Sequence, residues 1–370
     1  MANFAVNAPM DAMSSDLPGI RCMLMRGGTS KGAFFLAEDL PGNEGERDSL
    51  LLRVMGSPDP RQIDGVGGAH PLTTKVAVVA PSERDDVDLE YLFLQVSVDR
   101  PEVTDKQNCG NMLAAVGPFA VERGLIGPGD GRASVRILMR NTGRIAVAGF
   151  PVEGSAPIYA GDAEIAGVPG SAAEISIEFE DIAGSSTGAL LPTGRVLDTV
   201  AGVEATLIDN GMPVVLLRAA DLGITGYESC EELEPDDRLK HELEEIRLRA
   251  GPMMNLGDVT RATVPKLTLV SPPRAGGAIC TRTFIPHRCH QAIGVLGAVS
   301  VATACLLPGS VASRTARLDP GAERIRIEHP TGSFDATVRL EDGPEPAIVG
   351  AGIIRTARKL MDGMVFPRSY

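Results

Sequence analysis

A single thiol sits in Gln107-Asn108-Cys109-Gly110-Asn111, between the alternating stretch DLEYLFLQVSVD and the small apolar run MLAAVGPFAVERGL. The alternation predicts a strand and the run predicts a helix over 112–123, so Cys109 falls at the helix start. There the unpaired N–H groups of the first turn and the positive end of the helix dipole favour an anion. Asn108, Gly110 and Asn111 add polar amides and room for a ligand to approach closely. A buried structural cysteine is the competing reading, and these polar flanks weigh against it. A second candidate is Lys75 in LTTKVAVV, an ammonium at the head of an apolar strand. Such a group can give or take a proton; the plain alternative is an edge-strand lysine that discourages aggregation.

Other groups suit anion binding. The segment MRGGTSKG lacks the G-x-x-x-x-G-K-[ST] order of a phosphate loop, but Thr29 and Ser30 after two glycines can present donors to a carboxylate, with Arg26 beside them. Gly67, Gly68 and Thr74 lie in a Gly-rich approach to Lys75, where a plain turn is nearly as good a reading. Ser185, Ser186 and Thr187 form a small polar stretch, and Met212 sits in the tight turn Asn210-Gly211-Met212-Pro213. His287, Cys289 and His290 lack a second ligand pair at finger-like spacing, so no metal is expected. Carboxylate binding by His287, His290 and Arg282, with Arg288 contributing charge, is the better reading. Cys22, Cys230, Cys280 and Cys305 read as structural.

These residues need a scaffold. The chain has 370 residues, enough for about two domains, and 44% of it is hydrophobic. Two helical runs are charged and amphipathic, at 39–55 and 236–249. Two others, at 111–124 and 293–307, are small and apolar on every side and should be enclosed by other structure. Short alternating runs such as KVAVVA, VRILMR, EISIEFE, PVVLLRA and KLTLV surround them. Each half thus shows a strand, a tight polar turn and a buried Ala/Gly/Val helix. Two curled antiparallel sheets, each around one central helix, would aim both helix starts at a shared cleft; separate sandwiches fit the alternation equally well. The expected division is a loose extension over 1–17, a first domain over 18–184, a second over 185–345, and a C-terminal segment over 346–370 that returns to the first.

Composition narrows the partners. A formal charge of −13, no basic stripe, no Trp and only four Tyr argue against nucleic acid. No apolar stretch approaches the roughly 18–20 charge-free residues of a membrane span, and the N-terminus has no signal-peptide pattern. Six scattered cysteines fit reduced thiols in a cytoplasm. An anionic ligand would have to overcome the global field through local positive groups.

Six blocks carry a resemblance: MRGGTSKGAFF at 25–35, RQIDGVGGAHPLTTKVAVV at 61–79, QNCGNMLAAVGPFAVERGL at 107–125, GALLPTG at 188–194, IDNGMPVV at 208–215 and FIPHRCHQAIGVLGAVSVATA at 284–304. In this order the chain resembles the family that includes 2-methylaconitate isomerase, methylitaconate isomerase and 4-oxalomesaconate tautomerase. General likeness is greatest to the oxalomesaconate branch of aromatic-acid breakdown. The resemblance implies an α+β, diaminopimelate epimerase-like fold with two pseudo-equivalent domains, each a curled, mainly antiparallel β-barrel around a central α-helix. It also implies no cofactor, no metal, and a cleft in which a proton moves between carbons.

Diaminopimelate epimerase uses two cysteines, one per domain. Cys109 matches the first; the second falls at or beside Ile293-Gly294, where no thiol stands, so two-base racemisation is not expected. The family's replacement partner is the lysine that matches Lys75. Cys109 and Lys75 would then shift a proton across three carbons of an unsaturated tricarboxylate such as 4-oxalomesaconate, with base and acid assignable either way. Isomerisation of 2-methylaconitate, and a non-catalytic role beside an aconitase-like partner, are the competing functions. A homodimer is expected.

Overall fold

The computed structural model describes residues 18–106, 108–319, 321–341 and 347–369. The expected loose extension over 1–17 and Gln107 of the thiol segment lie outside the described residues.

In the first half β1 (Ile20–Gly27) and β2 (Ser30–Leu36) form a hairpin, and α1 (Glu44–Met55) follows. Strand β3 (Lys75–Pro81) runs parallel to β2, β4 (Leu89–Val96) returns antiparallel to β3, and β5 (Val103–Thr104) pairs with the end of β4. After α2 (Gly110–Leu113) and α3 (Val116–Glu122), β6 (Gly129–Met139) lies parallel to β4 and β7 (Arg144–Gly154) antiparallel to β6. The short β8 (Ala156–Pro157) and β9 (Ile175–Phe179) both pair with β7.

The second half repeats this order. Strands β10 (Asp198–Val200), β11 (Val203–Asp209) and β12 (Pro213–Arg218) form an antiparallel meander, followed by α4 (Cys230–Leu233) and α5 (Asp237–Met253). Strand β13 (Lys266–Ser271) runs parallel to β12 and β14 (Ile279–Phe284) antiparallel to β13. Helix α6 (Val295–Leu306) comes next; then β15 (Arg324–His329) is parallel to β14, with β16 (Gly332–Glu341) and β17 (Ala347–Arg355) antiparallel beyond it. Strand β17 also pairs with β9, which joins the halves, and β18 (Ala357–Val365) returns to pair with β1. We propose a boundary at 184–185, in the segment between β9 and β10.

Side-chain alternation decides which face of each strand sees which helix. Met23, Phe34, Ala77 and Phe93 face α2 and α3, and Val214, Leu216 and Val270 face α6, in one continuous core. The opposite faces carry the amphipathic helices. Leu51, Val54 and Met55 of α1 cover Ala33, Phe35 and Val76. Leu239, Leu243, Ile246 and Ala250 of α5 cover Val215, Leu217 and Leu267 on the second sheet.

The helix expected over 112–123 is two helices, not one. Pro118 has no N–H to give the Ala114 carbonyl, and its ring crowds that turn, so the chain breaks at Ala114–Ala115 and restarts with Pro118 in the first turn of α3. The counterpart α6 has no proline and runs unbroken for 12 residues. Its Ser300 and Thr303 are fully buried yet satisfied: Ser300 Oγ donates to Met212 O at 2.8 Å, and Asn210 Nδ2 donates to Thr303 Oγ1 at 2.8 Å.

Candidate active site

Both central helices start at one cleft of about 800 Å³. From the first half it is lined by Asn108, Cys109, Gly110 and Asn111, and from the second by Met212, Gly294 to Gly297, Lys266, Thr268, Thr283 and His290. Ser185 and Ser186 close one side. The charged or titratable lining groups besides Cys109 are Arg144, Lys266 and His290; no Asp or Glu lines it among the described residues. In a chain of net charge −13 this is a local reversal of sign, and it suits an anion.

Cys109 is the N-cap of α2, with an extended backbone, and its carbonyl accepts from Leu113 N at 3.0 Å. Because α2 is four residues long, the expected full helix dipole is reduced to one turn of N–H groups. The turn is held from both sides: Asn108 Oδ1 accepts from Cys109 N at 2.8 Å, and the Tyr91 hydroxyl donates to Cys109 O at 3.4 Å. Gly294 is the matching N-cap of α6, which places a glycine where the second epimerase cysteine would stand. Cys289 is packed instead beside Cys230 in the α4–α5 core, and burial pushes its thiol up.

Asn111 links the thiol turn to the rest of the first half. Its Nδ2 donates to Thr29 Oγ1 at 3.2 Å, and its Oδ1 accepts from Arg355 Nε at 3.0 Å. Gly28 has φ +50°, and a Cβ there would collide with Asn111 Oδ1, so the β1–β2 turn can approach α2 only as glycine. Arg26 stands behind this turn, donating to Gly28 O at 2.9 Å and Thr356 Oγ1 at 3.0 Å, and is not among the cleft-lining residues. Ser30 is buried, and its Oγ has no hydrogen-bond partner among the described residues.

Lys75 is 7% exposed and does not line the cleft. Its Nζ donates to Gln95 Oε1 at 2.7 Å and lies 4.9 Å from the Phe93 ring centroid, on the face that looks toward α2 and α3. Gln95 is itself anchored, donating to Thr74 O at 2.9 Å. The preceding loop is organised by Gln62, whose Oε1 accepts from Ala69 N and from Thr74 Oγ1, both at 2.7 Å. Gly67 and Gly68 pack on Gln62 and Thr73 in that loop; with Thr74 they support Lys75 and are not part of the cleft wall.

Three further expected binding residues point elsewhere. Arg282 lies on the α4–α5 face of β14, where it donates to Glu228 O and Thr281 O, while its neighbour Thr283 faces the cleft. Strand alternation makes those two directions exclusive. His287 is exposed, with Nδ1 3.6 Å from Glu244. Thr187 turns inward: Asp209 Oδ2 accepts from Ser186 N, Thr187 N and Thr187 Oγ1 at 2.8, 3.0 and 3.1 Å, which fixes the serine turn at the cleft edge. His290 does face the cleft; its Nδ1 accepts from Ala292 N at 2.8 Å, and burial, then Lys266, lowers its pKa.

Reading the sequence missed Arg355, Lys266 and Arg144. Arg355 is buried at the end of β17, its Cζ 3.8 Å from the Phe334 centroid, and it makes no ion pair among the described residues. Burial pushes its pKa down to about 10, against the opposing pull of Asp335 and Cys109. A buried cation without a contacting carboxylate is costly, and an anion at the thiol turn would offset that cost. The pairing of β18 with β1, which sets Ala357 opposite Gly27, brings residue 355 to the Gly28 turn and Asn111.

Comparison with known proteins identifies the family. The chain is 59% identical over 346 residues to (4E)-oxalomesaconate Delta-isomerase of Novosphingobium sp. strain KA1, covering 93% of this chain and 96% of that protein. It is 59% identical over 347 residues to 4-oxalomesaconate tautomerase of Pseudomonas putida, covering 94% and 95%. The crystal structure of methylitaconate-delta-isomerase superposes with a TM-score of 0.87 at 32% identity, over 95% of this chain and 96% of that one. The fold is the diaminopimelate epimerase-like one. The profile of the PrpF protein family matches residues 18–368, and the chain belongs to that family.

Proposed function

We propose that the chain is an isomerase that moves a proton between two carbons of 4-oxalomesaconate, in the breakdown of aromatic acids. One observation carries this reading: the cleft holds a thiol and three basic side chains and no carboxylate among the described residues. A tricarboxylate fits such a wall, and its carboxylates supply the missing negative charge. Cys109 and Lys75 are the proposed acid–base pair. Cys109 stands at the cleft, whereas Lys75 is held by Gln95 and does not line it, so the reading requires the Lys75 side chain to leave Gln95 and enter the cleft when substrate binds.

A 1,3-proton shift passes through an enolate whose added charge must be stabilised as it forms. The N–H groups of the α2 turn, the start of α6 and the Asn111 amide are the donors in place for it. His287, Cys289 and His290 face different partners, so activity is expected to survive dialysis against a strong chelator. The enzyme is also proposed to be a cytoplasmic homodimer, measurable by sedimentation velocity; no described helix is long and apolar enough to cross a membrane. The direct test is to add purified protein to 4-oxalomesaconate in deuterated water and follow the proton spectrum. Isomer formation with deuterium uptake is expected, and an unchanged spectrum would remove the substrate assignment.

A further inference from the structure

The two halves share more than their helices. In each, the third main strand runs parallel to the one before it and antiparallel to the one after, and it opens with a lysine. Lys75 pairs with Gly32 on β2; Lys266 pairs with Val214 on β12. The helix that follows is capped by Cys109 in the first half and by Gly294 in the second. Lys266 is therefore the internal counterpart of Lys75.

Their surroundings differ. Gln95 stands opposite Lys75 and accepts its Nζ. One step beyond the Leu267–Phe284 pair, the residue beside Lys266 is Ile285, which has no side-chain acceptor to offer. Lys266 lines the cleft, half-buried, with no hydrogen bond or ion pair among the described residues. Two further cationic or titratable groups, Arg247 on α5 and His290, act on it, and neither is negative. Arg247 is already engaged by Glu244, at 2.7 Å. Burial, then Arg247, lowers the Lys266 pKa, which a bound carboxylate would relieve. Thr268 and Thr283, hydroxyls 3.0 Å apart, lie next to it on the same wall.

We propose that Lys266 is a substrate-binding, specificity-determining residue that receives one carboxylate of a polycarboxylate across the cleft from Cys109. This rests on the functional reading above, and the test separates the two. Calorimetry with propane-1,2,3-tricarboxylate and with glutarate, on wild type, Lys266→Met, Lys266→Gln and Lys266→Arg, measures the preference for the third carboxylate. Wild type is expected to prefer the tricarboxylate by about tenfold or more, Lys266→Met and Lys266→Gln to lose that preference, and Lys266→Arg to keep most of it. Melting temperatures identify any variant that fails to fold, in which case the other neutral variant decides. No preference in wild type, or an undiminished preference in the neutral variants, overturns the proposal. Turnover of 4-oxalomesaconate by wild type is scored separately: Lys266-dependent binding without turnover sinks the substrate reading alone, and turnover with a Lys266-independent KM and probe affinity sinks the Lys266 proposal alone.

Discussion

At the scale of residues, the proposed site divides into groups proposed to meet substrate and groups that hold them. Gln95 belongs to the second kind: it accepts Lys75 Nζ at 2.7 Å and is pinned to Thr74 O at 2.9 Å. Gln95→Leu is expected to fold, to lower kcat by about tenfold through a displaced acid–base group, and to leave KM nearly unchanged. Steady-state kinetics check it; a change confined to KM would place Gln95 in substrate binding instead. Cys109 was legible because polar residues of unusual type flank it at a helix start. Lys266 was not, since a lysine opening KLTLV looks like any solvated strand end until its pairing with β12 is known. Arg282 misled for a similar reason: its distance along the chain from His287 says nothing about which face of β14 it takes.

At the scale of elements, the β1–β2 turn and the α2 start are fitted to each other. Gly28→Ala adds a methyl against Asn111 Oδ1 in a backbone region with φ +50°, where a side chain is strained in any case. The expected result is a loss of about 1–2 kcal/mol of stability together with a larger loss of activity, as Asn111 is pushed off Thr29 and Arg355. Thermal melts beside activity assays check it, and full activity would show that the Asn111 geometry is not needed. Helix positions were readable from composition, because small apolar runs must be enclosed. The break before α3 is signalled in the sequence by Pro118, inside an otherwise continuous small apolar run.

At the scale of the whole molecule, the halves are joined by β9 with β17 and by β1 with β18. Near this seam Asp335 on β16 accepts from Arg326 at 2.9 Å and from Arg324 at 2.6 Å. Burial raises its pKa, but those bonds outweigh it and the net shift is downward. A carboxyl lowered in the folded state adds stability above its unfolded pKa, and that stability is lost as pH falls through the folded value. The melting temperature of Asp335→Asn should therefore fall below wild type at pH 7, and the gap should narrow as pH is lowered through and below the ordinary carboxylate range. A gap that does not narrow would contradict the ion-pair account. The repeated plan of the halves was legible in sequence, whereas Arg355 reaches Asn111 through a strand pairing that no local pattern encodes.

We propose that Cys109 and Lys75 move the proton of 4-oxalomesaconate. Proton spectra in deuterated water, recorded for wild type, Cys109→Ser and Lys75→Met, test it most directly. Wild type is expected to turn over with exchange at two substrate carbons, and the folded variants to be slowed by at least about a hundredfold, each losing exchange at a different carbon. Near-wild-type turnover or exchange in either variant would contradict it.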